Sequence, residues 1–234
     1  MLGLKRYFTS RIEDNPRPRV LMYLMKHAYP QAKEILSRQT EFKKGTAALL
    51  SQCEADYPHS IWRDVRRLAL EGERDRMKRW WTRRFARRPA PKEIEVLWVA
   101  LWDVPEGFHL RGTSAWSRDP EDWSWTFSDD YSGPEFESPL MQRAFKLTES
   151  VSMGAASRGR NAAGSVYEVV EMFFSLVFFG LAIRDVVQGA DPRTVLGSRQ
   201  SRWIVIGHPD SEYGVLIGEM TKDGWRPFVD RKTR

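Results

Sequence analysis

The sequence predicts an α+β fold, in which an N-terminal all-helical segment precedes an antiparallel sheet packed on a long apolar central helix. In residues 1–91 the apolar side chains recur at helical spacing, whereas residues 92–234 contain short runs of β-branched and aromatic residues bounded by turn residues. Between those runs lies one apolar stretch, residues 165–188, of the length and composition of a buried helix. We therefore predict two domains, a basic helical segment (1–91) and an α+β domain (92–234) that ends in a hairpin.

The composition is that of a globular protein with a strong charge asymmetry. The chain has 234 residues, 41% hydrophobic and 29% charged, which is enough to bury a sizeable core. A single cysteine, Cys53, excludes an internal disulfide framework, and no signal-peptide pattern is visible, so we expect a cytoplasmic location. Residues 1–92 contain 22 Lys/Arg and 10 Asp/Glu, whereas the remainder contains 15 and 21. Such an asymmetry indicates a partner or two modules that attract each other.

The basic segment is predicted to end in one helix, from Ile61 to about Arg87. An apolar and aromatic stripe along it alternates with many arginines, and a helix packed on a core would bury that stripe. In a second interpretation helix 61–88 binds nucleic acid, with arginines on the phosphates and tryptophans stacked on bases. The candidate nucleic-acid-binding residues are Arg76, Arg79, Trp80, Trp81, Arg83, Arg84 and Arg87.

Pro89-Ala90-Pro91 separates the two halves, because two prolines end a helix and the composition changes after them. Ile94–Trp102, IEVLWVALW, is typical of a central strand, and Phe108–Thr113 is predicted to return beside it. Further on, a short helix is predicted from Ser138 to about Thr148, followed by a small-residue linker over 154–164.

Residues 114–138 combine aromatic side chains with carboxylates. Alternation predicts a strand at Trp123–Phe127 and an acidic loop elsewhere. The loop could be a solvated cover over the sheet edge, or its carboxylates and an exposed aromatic anchor could bind a basic protein. The candidate partner-binding residues are Trp116, Asp119, Glu121, Asp122, Asp129, Asp130, Tyr131 and Glu135.

The central helix is predicted from a capping box at Ser165 to a left-handed cap at Gly189. Its uncharged run is 12 residues, from Met172 to Ile183, whereas a membrane-spanning helix needs about 20, so we expect no membrane span. The chain then continues with predicted strands at 203–206, 213–220 and 225–229, joined by turns at 208–212 and at Asp223-Gly224.

The chain lacks the motifs of known catalytic and cofactor sites. Its histidines are scattered and do not have the spacing of metal ligands, and no phosphate-loop, dinucleotide-binding or nucleophile-elbow motif is present. Cys53 lies among apolar helix residues, where a thiol is usually buried and inert. We expect no catalytic residue, no metal and no cofactor.

The α+β half resembles small bacterial immunity-type proteins that accompany secreted polymorphic toxins. The resemblance covers residues 93–229 and follows an order of motifs. It begins with the strand LWVALW and the acidic segment around Glu121-Asp122-Trp123, continues through the helix end AIRDVV and Leu196-Gly197, and closes with IVIGHPDSEYGVLIGEMTKDGW. That last hairpin is similar to the pattern VGFDSGDFILLGRLTPEGF, although His208-Pro209 replaces the usual start of its turn.

The resemblance implies binding and not catalysis, since an immunity protein occludes a toxin's active site or locks its fold. The first functional hypothesis is therefore a cytoplasmic immunity protein that neutralises a cognate bacterial toxin or effector. The alternative is a nucleic-acid-binding protein that uses the basic helix 61–88.

Overall fold

The computed structural model describes residues 29–38, 41–85, 87–101, 106–115, 130–156, 169–208 and 214–228. Within them the fold is α+β, as predicted, with seven α-helices, two π-helical turns and one six-stranded mixed sheet. The α-helices are α1 (Tyr29–Ser37), α2 (Phe42–Asp56), α3 (Trp62–Arg66), α4 (Leu70–Trp80), α5 (Pro139–Ala156), α6 (Ser175–Gln188) and α7 (Pro192–Leu196). The π-helical turns are Trp81–Phe85 and Val169–Phe174, and the strands are β1 (Val96–Leu101), β2 (Gly107–Thr113), β3 (Tyr131–Glu137), β4 (Ser201–Gly207), β5 (Gly214–Thr221) and β6 (Gly224–Pro227).

The sheet is mixed, which corrects the prediction of an antiparallel sheet. Its strand order is β3-β2-β1-β4-β5-β6, and the two central strands, β1 and β4, pair in parallel, with Val96 beside Trp203. Parallel neighbours need a crossover connection, and here the long chain segment between β1 and β4 includes α5, α6 and α7. Every other neighbouring pair is antiparallel.

Side chains alternate between the two faces of the central strands, and the main hydrophobic core lies on one face. On β1 the side chains of Leu97, Val99 and Leu101 join a cluster that includes residues of the helices. Trp98 and Ala100 belong to a smaller apolar cluster on the opposite face. Both faces of the central strands are therefore apolar, in keeping with the continuous apolar sequence of β1.

The central apolar stretch forms two helical segments within the described residues. A π-helical turn, Val169–Phe174, leads directly into α6, in which every residue is buried except Asp185 and Gln188. The predicted start at Ser165 lies outside the described residues. Gly189 follows α6 with φ −90°, so the helix does not end in the left-handed cap that we predicted. Arg184 is buried in α6, where desolvation lowers its pKa, and its Nη1 donates to the carbonyl of Leu36 at 2.7 Å, near the end of α1.

Three further local predictions are corrected. The helix expected over 61–87 divides into α3, α4 and a π-helical turn, because residues 67–69 leave the helical path. Residues 131–137 form the edge strand β3 and not a loop, and α5 extends eight residues past the expected end at Thr148. The strand predicted at Trp123–Phe127 lies outside the described residues.

Arg202 joins the linker between the two halves of the chain to the sheet. Its side chain is fully buried in β4, and its guanidinium donates to four backbone carbonyls. These are Ile94 at 3.0 Å from Nε, Val195 at 2.6 Å from Nη1, and Ala90 and Pro91 at 3.3 and 2.7 Å from Nη2. The segment after the basic helix is therefore tied to β4 by hydrogen bonds from one side chain.

Within the described residues, no helix combines the length and apolar character that a bilayer crossing requires.

Candidate functional site

Six exposed cations follow one another along the end of α4, the π-helical turn after it and the next turn of chain. We call them the cationic surface: Lys78, Arg79, Arg83, Arg84, Arg87 and Arg88. The sequence prediction had named Arg79, Arg83, Arg84 and Arg87 as site residues, and the structure places all four on the outside. It adds Lys78 and Arg88, which complete three basic doublets spaced four to five residues apart.

The buried face of this element explains why the cations point outward. Glu73, Met77, Trp81 and Phe85 are buried and recur at every fourth position. An α-helix has about 3.6 residues per turn, so a strict four-residue repeat drifts around its surface. The π-helical turn Trp81–Phe85, with its wider hydrogen-bonding step, takes up the drift and keeps both aromatic rings in the core. Arg83 and Arg84 are thereby held on the opposite side.

Within the described residues, none of the six cations forms an ion pair with an acid. The recorded ion pairs of this region lie upstream, such as Arg76 with Glu73 at 3.1 Å and Arg67 with Asp64 at 3.2 Å. The sequence explains the difference, because no Asp or Glu occurs from residue 77 to residue 92. Arg79 and Arg83 lie four residues apart, and like charges at that spacing destabilise a helix by about 0.2–0.5 kcal/mol per pair.

Two residues of the predicted nucleic-acid set, Trp81 and Arg76, are engaged by other groups of the protein. Trp81 is only 2% exposed and its ring lies 4.4 Å from that of Phe85. Arg76 pairs with Glu73 and places its guanidinium 4.4 Å from the centre of the Phe136 ring. The predicted stacking of Trp81 on a base is therefore not possible in this structure.

Trp80 is half-buried against the edge of the sheet. Its ring meets Phe108 and Phe136 edge-on, at 5.3 and 5.4 Å between centroids. Its indole N–H donates to the backbone carbonyl of Glu135 at 2.7 Å, with the acceptor on the edge strand β3. The ring therefore fixes the basic helix to the sheet, and the predicted role in base stacking has no support in this arrangement.

The acidic candidate surface is described only in part. Trp116, Asp119, Glu121, Asp122 and Asp129 lie outside the described residues. Asp130 is exposed, but one of its carboxylate oxygens accepts from the backbone N–H of Ser114 at 2.8 Å and from its hydroxyl at 2.6 Å. Asp130 therefore helps to hold the ends of β2 and β3 together.

Tyr131 and Glu135 lie on β3. Tyr131 is half-buried against the main core, and desolvation raises its pKa. Glu135 is exposed, as is Glu137 two residues further along the same face, and within the described residues neither carboxylate forms an ion pair. Glu137 was not among the predicted site residues, although the period of two along a strand would have included it.

The buried polar side chains do not assemble a catalytic group. The His208 Nδ1 lies 3.0 Å from the hydroxyl of Tyr29, and burial lowers the pKa of His208 to about 3. Cys53 is fully buried, as predicted, and desolvation raises the pKa of its thiol well above the usual range. Among the described residues, no three His, Cys, Asp or Glu side chains come together as a metal site.

A shallow depression of about 590 Å³ lies beyond the cationic surface, lined by Lys92, Glu93 and residues 198–201. Arg199 crosses it and donates to the carbonyl of Lys92 at 2.6 Å and to the Glu95 carboxylate at 3.2 Å. These polar groups bind one another, so the depression is a contact between two loops and not a prepared ligand site.

No protein-family model, curated protein or solved structure matches this chain. The two charged surfaces are therefore the structural features from which a function can be inferred.

Proposed function

We propose that this chain is a nucleic-acid-binding protein that holds phosphates on the cationic surface. One observation supports the proposal: six consecutive exposed cations lack an acidic partner among the described residues. Each cation is repelled by its neighbours, and that repulsion is relieved when a polyanion binds. A nucleic acid supplies closely spaced negative charges and gains from the release of its condensed counterions.

The test measures affinity for DNA and RNA as the salt concentration rises from about 50 to 200 mM, the range over which counterion release is measurable. Each phosphate neutralised on a duplex contributes about −0.9 to the slope of log K against log salt, so six contacts give a slope of about −5. Replacing Arg83 and Arg84 with glutamine should weaken binding at least roughly tenfold and make the slope shallower by about 1.8.

Arg143→Gln with Lys146→Gln is the matched control, since both cations are exposed on α5 and form no ion pair among the described residues. It removes the same charge from a different surface and should bind like the wild type. If the wild-type chain binds neither DNA nor RNA at the lowest salt, or if the two double variants lose equal affinity, the cationic surface is not a nucleic-acid site.

A second candidate function is that of an immunity protein that neutralises a cognate bacterial toxin or effector in the cytoplasm. It is supported by the resemblance over 93–229 and by the exposed carboxylates of Glu135 and Glu137, which form no ion pair among the described residues. They lie on the edge strand that follows the acid-rich segment 116–130 in the chain. Carboxylates at the rim of an interface steer a basic partner and act mainly on the association rate.

Co-expression with a toxic product of a neighbouring gene tests this second function, with cell growth as the readout. The chain should protect the cells, and Glu135→Gln with Glu137→Gln should slow association with the purified toxin and flatten its salt dependence. Glu149→Gln, an exposed acid on α5, is the control and should associate normally. Growth arrest despite expression of the folded chain would exclude neutralisation of that toxin.

A further inference from the structure

We infer that the nucleic acid bound at the cationic surface is double-stranded. This inference rests on the proposed function and specifies its partner. It follows from the cations on the exposed face of the basic helix, from the lack of an aromatic ring available for stacking there, and from the spacing of the charges.

The aromatic side chains of this element are either buried or packed against the sheet. Trp81 and Phe85 are at most 2% exposed, and Trp80 is held edge-on against Phe108 and Phe136 with its N–H bound to the sheet. Proteins that bind single strands usually combine positive charge with exposed aromatic rings on which the unpaired bases stack. From residue 70 to residue 85 no aromatic ring remains for that purpose, whereas a duplex keeps its bases stacked inside and needs none.

The side chains exposed on this face are suited to phosphates. Around the cations the only other exposed residue of the π-helical turn is Thr82, whose hydroxyl donates to the carbonyl of Lys78 at 3.1 Å. The face is also the convex outer side of a helix whose opposite side is packed on the core. A convex row of cations can lie along a duplex backbone, whereas a flexible single strand is usually held in a groove.

Charge density favours the duplex as well. Six steps from Lys78 to Arg84, the helical part of the cationic surface, cover at most about 9 Å at the rise of an α-helix. A duplex presents one negative charge per about 1.7 Å of its axis, or about five over that length. One strand, at about 3.4 Å per charge, presents about three. The four cations of this part therefore exceed the charges of a single strand in the span but not those of a duplex.

The experiment compares a duplex of about 20 base pairs, long enough to cover the cationic surface, with each of its two separated strands. The full chain is used, and binding is followed by fluorescence anisotropy across the same salt range. We expect the duplex to bind at least roughly tenfold more tightly than either strand. The slope of log K against log salt should be near −5 for the duplex and no steeper than about −4 for either strand. Arg83→Lys with Arg84→Lys should keep duplex affinity within about threefold, because the contacts need charge and not a flat guanidinium.

The outcomes separate the inference from the proposed function. Equal or tighter binding of a single strand would overturn the inference while leaving nucleic-acid binding in place. A lysine variant that loses as much duplex affinity as the glutamine variant would contradict the expectation that these contacts need charge alone. Failure of both the duplex and the strands to bind at the lowest salt would overturn the proposed function and the inference with it.

Discussion

At the scale of single residues, the side chain of Arg202 connects parts of the molecule that are distant in sequence. Its guanidinium is desolvated and lies near another cation, Arg199, which together lower its pKa to about 10. It remains charged at neutral pH, and backbone carbonyls replace the water it has lost. A buried charge is tolerated only when such partners are present.

Replacing Arg202 with methionine should therefore destabilise the fold strongly. The side-chain volume is largely kept, but buried carbonyls lose their donor, at about 1–3 kcal/mol for each group left unsatisfied. We expect a loss of at least about 3 kcal/mol in the free energy of unfolding, measured by urea denaturation. Arg193→Met, an exposed cation on α7, is the control and should change stability by no more than about 0.5 kcal/mol. Equal effects of the two variants would contradict the linking role of Arg202.

His208 makes stability depend on pH. Its pKa is about 3 in the folded protein and about 6.5 in an unfolded chain. Between those values the unfolded chain takes up a proton that the folded protein excludes. The folded state is therefore fully stabilised above pH 6.5 and loses up to about 1.4 kcal/mol per pH unit as the pH falls towards 3.

Unfolding measured at pH 7 and pH 4.5 tests this dependence. His208→Gln should lose about 2.5 kcal/mol less than the wild type over this interval, because no proton is excluded at that position. If the wild type and His208→Gln lose the same free energy of unfolding between pH 7 and pH 4.5, protonation of His208 does not cause this pH dependence.

At the scale of elements, close contact between helices decides several details. Gly45 lies within α2, where a Cβ would lie 2.7 Å from a methyl carbon of Leu181. Gly180 in α6 likewise faces Leu36 of α1. The absence of a side chain lets these helices approach, which offsets the lower helix propensity of glycine.

Phe178 lies at the centre of this packing, and its truncation should be costly. The ring is fully buried and lies 5.9 Å from the ring of Phe42 and 5.9 Å from that of Phe174. Phe178→Ala should lower the free energy of unfolding by about 3–5 kcal/mol through lost burial and a residual cavity. Gln188→Ala, exposed on the same helix, is the control and should stay within about 0.5 kcal/mol of the wild type in thermal melts. A wild-type melting temperature for Phe178→Ala would contradict this packing.

The edge strand β3 could not be predicted from the sequence. Gly133 and Pro134 are both uncommon in strands, so the segment resembles a loop. Proline is nevertheless tolerated at a sheet edge, where one side of the backbone has no strand to bind. Trp80 donates to the carbonyl of Glu135 on β3, and Pro134 removes one donor. Both features limit pairing of this edge with another chain.

Other elements could be predicted because their signal is local. Ile94–Trp102 was predicted as a strand and β1 occupies residues 96–101, since an unbroken apolar run indicates burial on both faces. The arginines of the basic helix could also be assigned to the outside, because they lie beside a local apolar stripe that a packed helix buries. Burial of the aromatic stripe that includes Trp80 could be predicted too, but the acceptor of its N–H could not, because it lies on a strand 55 residues away. The parallel pairing of β1 with β4 depends on partners still farther apart in the chain, such as Val96 and Trp203.

At the scale of the whole molecule, one hydrophobic core joins both halves of the chain. Leu36, Phe42 and Trp81 come from before the Pro89–Pro91 linker, and they belong to the same cluster as Phe178 and Ile206. Arg202 adds hydrogen bonds across that linker. The α+β half thus buries part of its apolar surface against the helical half.

A fragment of residues 92–234 should therefore not fold cooperatively on its own. Removing the N-terminal helices exposes the apolar side of α6, and a domain that loses part of its core is left with little net stability. We expect a broad thermal transition and a weak near-ultraviolet circular dichroism spectrum, whereas the full chain in the same buffer melts sharply. A sharp transition of the fragment would show that the α+β half is an independent domain.

The parallel pairing of β1 with β4 also determines the order in which the protein can assemble. Val96 lies beside Trp203, so roughly a hundred residues must be synthesised between one central strand and the other. Until β4 leaves the ribosome, the apolar edge of β1 has β2 on one side and no final neighbour on the other. Closing such a long loop precedes most of the gain in contacts, which slows folding. For much of its synthesis the chain thus carries an open apolar strand edge, the kind of surface that molecular chaperones cover.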